Sequence, residues 1–462
     1  MYKVRLNNRI VKVPDGTILA DILIKSGEKL PHLCGGKGTC RKCLVSVNGK
    51  KELSCQYKIK SDIDVVLPEN DDIFSEIGAN ESGEITENCC LCLDIGTTTL
   101  ALALISVDEK KIIKVKTAAN PQRAFGGDVL TRIEYCNKNG ISELQICLIN
   151  KINEMIDNIG VSTANTMYVS GNTTMLHILF GVDPSSIGVA PYTPVFLDSK
   201  KIKGEQIGLN KIENVISLPC ISAFVGADLV AGVNFADSPQ ENKYNLLIDL
   251  GTNAEIILYN ENELYCTSAA AGPCFEGANI TCGMSAIDGA IYSYSIDGSF
   301  KTIGNKTSIG ICGTGLIDII SILLEKGVID ETGYMDCEEY SITNNIKLTQ
   351  KDIRQFQLAK SAVYSGISAL LREKAISVEA IENLFISGGF SAKINTENTV
   401  KTGLLPRELK DKIIVLNNSS LLGTVKYACE QNDLSVYLKN ERYIDLSTNE
   451  FFSQMFIENM EF

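Results

Sequence analysis

The chain has 462 residues, with 16 cysteines, two histidines and no tryptophan. Its 43 basic and 56 acidic residues leave a net charge of −13, which argues against a general nucleic-acid binder, because phosphate contacts need clustered Lys and Arg. Two histidines leave little room for His-based zinc chemistry, and 45% hydrophobic residues is too many for a disordered chain.

Length predicts about three compact units. No run of about 18 apolar residues is present, so no membrane-spanning helix is expected. The start, Met1-Tyr-Lys-Val-Arg-Leu, lacks the apolar core of a signal peptide. Sixteen cysteines in such a chain read as buried thiols or metal ligands of a cytoplasmic protein, rather than as a disulfide framework. Charge divides the chain. Residues 1–67 carry 13 basic and 6 acidic residues, residues 68–92 carry 7 acidic and no basic ones, and the remaining 370 carry 30 and 43. A basic head, an acidic connector and an acidic body follow.

In the head, Tyr2, Val4 and Leu6 alternate with charged residues as in a half-buried strand. Asn7-Asn8 signals a hairpin into Arg9–Val13. Asp15-Gly16 is a turn, and Thr17 caps a short helix over 18–25. Leu44–Val47 and Asp64–Leu67 read as further strands, with Asn48-Gly49 as a tight turn. Between helix and strands, Cys34, Cys40, Cys43 and Cys55 are spaced C-x5-C-x2-C-x11-C, with Gly35, Gly36 and Gly38 in the loop. Four thiolates suit a [2Fe–2S] cluster, two per iron, and glycines allow backbone N–H groups to point at sulfur. The alternative is a zinc site with four cysteine ligands, although zinc ribbons usually use two C-x2–4-C pairs and this chain has one. This loop, on a hairpin-helix-strand background, resembles the β-grasp [2Fe–2S] ferredoxin domain over residues 1–67. Its fourth cysteine follows sooner than in most soluble ferredoxins; Cys89 or Cys90 could replace Cys55 only if the connector folded back. The head's positive charge departs from the usual acidic ferredoxin and reads as a docking surface or as a solvated face.

Residues 68–90 are read as an exposed acidic linker. Beyond it, short apolar strands alternate with helical periods such as 142–159 and 360–372, an α/β pattern. A degenerate repeat divides this body into units 91–243 and 244–462. Each begins with an apolar strand, then Asp94-Ile-Gly96-Thr97-Thr98-Thr99 or Asp249-Leu-Gly251-Thr252-Asn253, then a second strand. Each loop offers N–H and hydroxyl groups for phosphates and a carboxylate for Mg²⁺ or its waters. Neither has the lysine of a P-loop.

The pair resembles the phosphate loops of the acetate and sugar kinase, Hsp70 and actin superfamily. Leu384–Ser391, with Gly388-Gly389, is similar to its adenosine motif. Phe224–Gly232 is similar to its first connecting helix, which makes Asp228 the candidate for orienting the attacking water; the alternative is an acid favoured by a helix N-terminus. Ser308–Gly315, with Gly313, is a glycine-rich turn that either touches phosphate or packs closely. Cys89, Cys90 and Cys92 read as core thiols. His177 reads as a structural histidine.

The combination, with Asn120–Arg132, Gly171–Met175, Gly272–Gly277 and Ser387–Phe390, resembles the ATP-dependent reductive activators of corrinoid proteins. The resemblance implies ATP-coupled one-electron reduction of inactive Co(II) corrinoid to Co(I) in a methyltransferase system. It implies [2Fe–2S], ATP and Mg²⁺ as cofactors, and a corrinoid protein and a low-potential ferredoxin- or flavodoxin-type donor as partners. The oligomeric state stays open, with a homodimer allowed. Longer members carry an extra domain where this chain has only the connector. Two other classes remain: a small-molecule kinase with a redox head, and a nucleotide-gated redox-sensing module.

Overall fold

The computed structural model describes residues 1–6, 9–26, 43–67, 88–236, 238–389 and 393–462. Cys34, Cys40, the Asn7-Asn8 turn, the acidic connector and Phe390-Ser391 therefore lie outside the described residues.

The head is a five-stranded sheet crossed by one helix. Its elements are β1 (Tyr2–Leu6), β2 (Arg9–Val13), α1 (Leu19–Lys25), β3 (Leu44–Val47), β4 (Lys50–Leu53) and β5 (Ile63–Val66), in sheet order β2-β1-β5-β3-β4. Strand β1 runs antiparallel to β2 and parallel to β5. The alternation anticipated in β1 puts Val4 and Leu6 inside, against Leu19, Leu23, Val45, Val47, Ile63 and Val65. Asn48 and Gly49 take φ of 49° and 81°, as a two-residue hairpin turn requires.

The body is two copies of one plan. In the first, β6 (Cys89–Ile95), β7 (Thr99–Ser106) and β8 (Lys111–Ala119) form an antiparallel meander. Helices α2 (Val129–Asn139) and α3 (Ser142–Ile159) lead to β9 (Ala164–Gly171), which returns parallel to β6. Helix α4 (Thr173–Leu179), an edge strand β10 (Lys201–Lys203), β11 (Ile212–Ser217) and α5 (Ala227–Phe235) complete it, in sheet order β10-β11-β9-β6-β7-β8. The strands nearest the centre are apolar on both faces because helices cover both.

The second copy begins with the meander β12 (Tyr244–Leu250), β13 (Ala254–Tyr259) and β14 (Leu264–Ala269). An insertion follows: a small sheet of β15 (Ala290–Tyr294), β16 (Phe300–Thr302) and β17 (Gly310–Ile311), helix α6 (Gly313–Glu325), and a hairpin of β18 (Glu339–Ser341) and β19 (Lys347–Thr349). Helix α7 (Gln350–Lys374) starts with a reciprocal cap between Thr349 and Asp352 and extends past both ends of the expected 360–372 segment. Then come β20 (Ile381–Ser387), parallel to β12, α8 (Thr396–Lys401), β21 (Ile413–Val415), α9 (Ser419–Glu430), β22 (Glu441–Tyr443) and α10 (Glu450–Glu458), in sheet order β21-β20-β12-β13-β14-β22.

Packing does not follow the sequence boundary between the copies. Helix α9, from the second, lies on the first: Leu421, Val425 and Ala428 pack on Cys90, Cys92, Ala101 and Ile105. Contact with α5 is close enough that a Cβ on Gly423 would sit 1.8 Å from the Ala231 carbonyl oxygen. Cys90 and Cys92 are the core thiols anticipated, and β6 begins at Cys89, before the expected start of the body.

Candidate nucleotide site

The two anticipated loops sit at corresponding places, at the ends of β6 and β12. In each, the aspartate is paired in register with a serine on the neighbouring parallel strand: Asp94 with Ser170, Asp249 with Ser387. Ser387 Oγ donates to Asp249 Oδ2 at 2.9 Å. On the first half the arrangement has one more member. Ser420 Oγ, from the start of α9, donates to Asp94 Oδ1 at 2.8 Å and lies 2.9 Å from Ser170 Oγ.

The carboxylates from both halves converge. Burial pushes Asp94 up to about 7, with Asp249 adding like-charge repulsion against a hydrogen bond from Ser420. Burial first, then Asp249 and Asp94, push Asp228 up to about 8. Asp249 is also raised by burial, opposed by Ser387 and reinforced by Glu276. Asp228 occupies the first turn of α5, as expected, and accepts from the Leu229 N–H at 3.0 Å. Like-charge coupling of Asp249 to Asp94 and to Asp228 puts the three carboxylates near one another, Asp228 coming from α5 of the first half.

Two acids were not anticipated. Glu255 stands directly opposite Asp249 in the antiparallel β12–β13 pair, so both side chains share one face. Its proton affinity is raised well above that of an ordinary carboxyl by burial and by Asp249 and Asp228. The first half has Ala101 at the corresponding place. Glu276 accepts from Thr252 Oγ1 at 3.0 Å and so borders the second loop. No three His, Cys, Asp or Glu among the described residues are placed to hold a metal ion by themselves. A divalent cation would therefore rely on water and phosphate oxygens as further ligands, which is how Mg²⁺ usually binds.

Glycines in the loops have different causes. A Cβ on Gly96 would meet the Thr99 carbonyl oxygen at 2.6 Å, so the first turn needs glycine, whereas Gly251 has ordinary clearance. Gly388 has φ of 116° and would meet the Leu250 oxygen at 2.4 Å, while Gly389 faces open space. Gly388 thus brings the end of β20 against the second loop, and no described residue crowds Gly389. Gly313, at the start of α6, is accounted for by packing, since a Cβ there would lie 2.2 Å from the Phe275 oxygen. His177 is structural as read: Nδ1 lies 2.7 Å from the Thr173 oxygen, Nε2 accepts from the Val195 N–H at 3.1 Å, and Phe196 stacks on the ring.

In the head, Cys43 and Cys55 are buried in one small cluster with Ala20, and the Ser54 N–H donates to the Cys43 oxygen at 2.9 Å. Fully buried Ser54 has a hydroxyl with no partner among the described residues. Two thiols beside an unsatisfied hydroxyl fit the edge of an iron–sulfur site, where a sulfide accepts such a donor.

Three family models match. Residues 1–68 match a 2Fe-2S iron-sulfur cluster binding domain, residues 89–240 the RACo middle region, and residues 243–462 the C-terminal domain of RACo, the ASKHA domain. The corrinoid activation enzyme RamQ of Eubacterium limosum is 26% identical over 579 aligned positions, covering 98% of this chain and 97% of the relative. A "[Co(II) methylated amine-specific corrinoid protein] reductase" of Methanosarcina barkeri is 25% identical over 411, covering 79% and 76%. A solved structure titled "Reductive activator for corrinoid,iron-sulfur protein" superposes with a TM-score of 0.72 at 26% identity, covering 100% of this chain and 98% of that one.

Proposed function

The chain belongs to the RACo family of reductive activators of corrinoid proteins, and on that premise we propose that it reduces the Co(II) corrinoid of a partner protein to Co(I) at the expense of ATP. The observation that carries the ATP half of this reading is the convergence of Asp94, Asp249 and Asp228 from two duplicated halves. Buried carboxylates with raised proton affinity are held at a cost that a cation with its phosphates would relieve.

The roles divide by chemistry. Cys34, Cys40, Cys43 and Cys55 would hold a [2Fe–2S] cluster, which supplies a one-electron carrier. The amides and hydroxyls of Thr97, Thr98 and Thr99, and of Thr252 and Asn253, bind the phosphates on turns that Gly96 and Gly251 close, their N–H groups donating to the Thr99 and Asn253 oxygens. Gly388 and Gly389 admit the adenosine, while Gly313 serves the close packing of α6 on Phe275. Asp94 and Asp249 would hold Mg²⁺ or its waters, which would offset phosphate charge. Asp228 orients the water that attacks the γ-phosphate. Nucleotide can drive an uphill electron transfer only by favouring one conformation of the complex over another. Closure of the halves around Asp94, Asp249 and Gly388 is that conformational step. It reshapes the surface that meets the corrinoid partner, and hydrolysis releases it.

The test is ATP turnover measured with and without a Co(II) corrinoid protein, beside an assay for phosphate transfer to sugars and carboxylic acids. Phosphate release to water that accompanies Co(I) formation supports the reading. Phosphoryl transfer to a metabolite without Co(I) would mark a kinase instead.

A further inference from the structure

The side of the first phosphate loop that faces away from the cleft holds a charge with no assigned role. Arg132, on α2, is fully buried. Its Nε donates to the Gly126 oxygen at 3.0 Å, its Nη1 to Gln122 Oε1 at 3.2 Å, and its Nη2 to the Thr97 oxygen. No carboxylate among the described residues forms an ion pair with it. A guanidinium hydrogen-bonded only to neutral acceptors, with Asp128 and Glu276 attracting it and Arg123 repelling it from beyond contact, is expensive to bury, which calls for a reason.

The loop supplies one. Three successive carbonyls are tied to the segment that runs from Asn120 to Arg132. Asn120 Nδ2 donates to the Gly96 oxygen at 2.8 Å, Arg132 to the Thr97 oxygen, and the Asn120 N–H to the Thr98 oxygen at 2.9 Å. In a planar trans peptide the C=O of one residue and the N–H of the next point in opposite directions. Pinning these carbonyls therefore turns the Thr97 and Thr98 amides the other way. Neither donates to any other described residue. Successive N–H groups aimed together form an anion-binding nest. Among the described residues no arginine backs the second loop, which has the Glu276 carboxylate against Thr252 instead.

We propose that Arg132 is a positioning residue of the first phosphate loop: it holds the Thr97 carbonyl away from the cleft, presents the following amides to phosphate, and places a positive charge behind them. The first loop is thereby backed by a positive charge, whereas the second has the Glu276 carboxylate at its Thr252 hydroxyl. The inference rests on the nucleotide reading and names the groups that make one loop selective for phosphate.

The experiment is titration of the full-length protein with adenosine, AMP, Mg–ADP and Mg–ATP, in wild type and in Arg132→Lys. Loss of a charge-assisted hydrogen bond is expected to weaken ADP and ATP about 10- to 100-fold. Adenosine and AMP should change less than about twofold, because nothing in their binding depends on the nest. Asn120→Asp, which keeps the shape but loses the donor to Gly96, should show the same selective loss and carries the test if Arg132→Lys does not fold. Equal weakening of all four ligands, or no weakening, would overturn the role of Arg132. Wild-type protein that binds neither ADP nor ATP would instead overturn the nucleotide reading itself.

Discussion

At the scale of single residues, the site is governed by carboxylates with few counter-charges. Asp94 and Asp228 hold their protons to about 7 and about 8, against an ordinary value of 3.8. A group raised in the folded state favours folding while protonated, and that contribution is lost as pH rises through its folded value. Nucleotide-free protein should therefore lose thermal stability progressively from near pH 4 to pH 8. Saturating Mg–ATP should flatten the decline by pairing the carboxylates, and Asp228→Asn should remove part of it; melting temperature against pH checks this, and a flat wild-type profile would contradict it. Glu255 makes the same argument for one side chain. A like-charged pair directly across two strands is destabilising unless a cation or proton lies between. Glu255→Gln should raise the melting temperature of nucleotide-free protein and weaken its Mg²⁺-dependent nucleotide affinity, a trade of function for stability. Asp228→Asn should lower ATP turnover by about 10² or more while ADP binding persists, as expected for a group acting on the attacking water. Unchanged turnover would move that role elsewhere.

Among the elements, α9 has the largest consequence for its length. Like Leu247, Ile257 and Phe385, it packs the second half on the first, and its Ser420 reaches Asp94 across 326 positions of sequence. Gly423→Ala would drive a Cβ into the Ala231 backbone. Overpacking of this kind costs about 1–3 kcal/mol. Because the displaced helix carries Ser420, nucleotide affinity should fall along with the unfolding midpoint; affinity that survives a lowered midpoint would separate α9 from the site. This is also where sequence reading reaches its end. The loops at Asp94 and Asp249 were legible because apolar strands flank an Asp-x-Gly-Thr turn twice. Ser170 and Ser387 were not, since a serine at the end of a strand says nothing until the register is known. Glu255 had a faint signal: the three residues Gly251–Asn253 separate the pair Leu250 and Ala254, which puts Asp249 opposite Glu255. The first hairpin spaces Ile95 and Leu100 by four and reaches Ala101 instead. Arg132 belonged to a segment known only by resemblance, because no local pattern announces which loop a buried guanidinium will support.

The whole molecule joins a 2Fe-2S-type head to a duplicated ASKHA-type body through the acidic segment 68–90, most of which lies outside the described residues. RamQ aligns over 579 positions against the 462 residues of this chain, so the alignment contains gaps on this side. A head of net charge +7 before a connector of −7 makes electron delivery sensitive to ionic strength, since such attraction is screened beyond about 8 Å at physiological salt. The rate of reduction of the head by an acidic donor should fall as salt rises, and a rate independent of salt would remove docking through that surface. The central claim is that nucleotide in the carboxylate cleft makes the corrinoid reducible. It is tested most directly by following Co(I) absorbance when wild type and Asp249→Ala, each with an intact cluster spectrum, meet a Co(II) corrinoid protein, a low-potential reductant and Mg–ATP. The account predicts Co(I) from wild type only when ATP is present and none from Asp249→Ala. Wild-type yields of Co(I) from that variant, or from wild type without ATP, would contradict it.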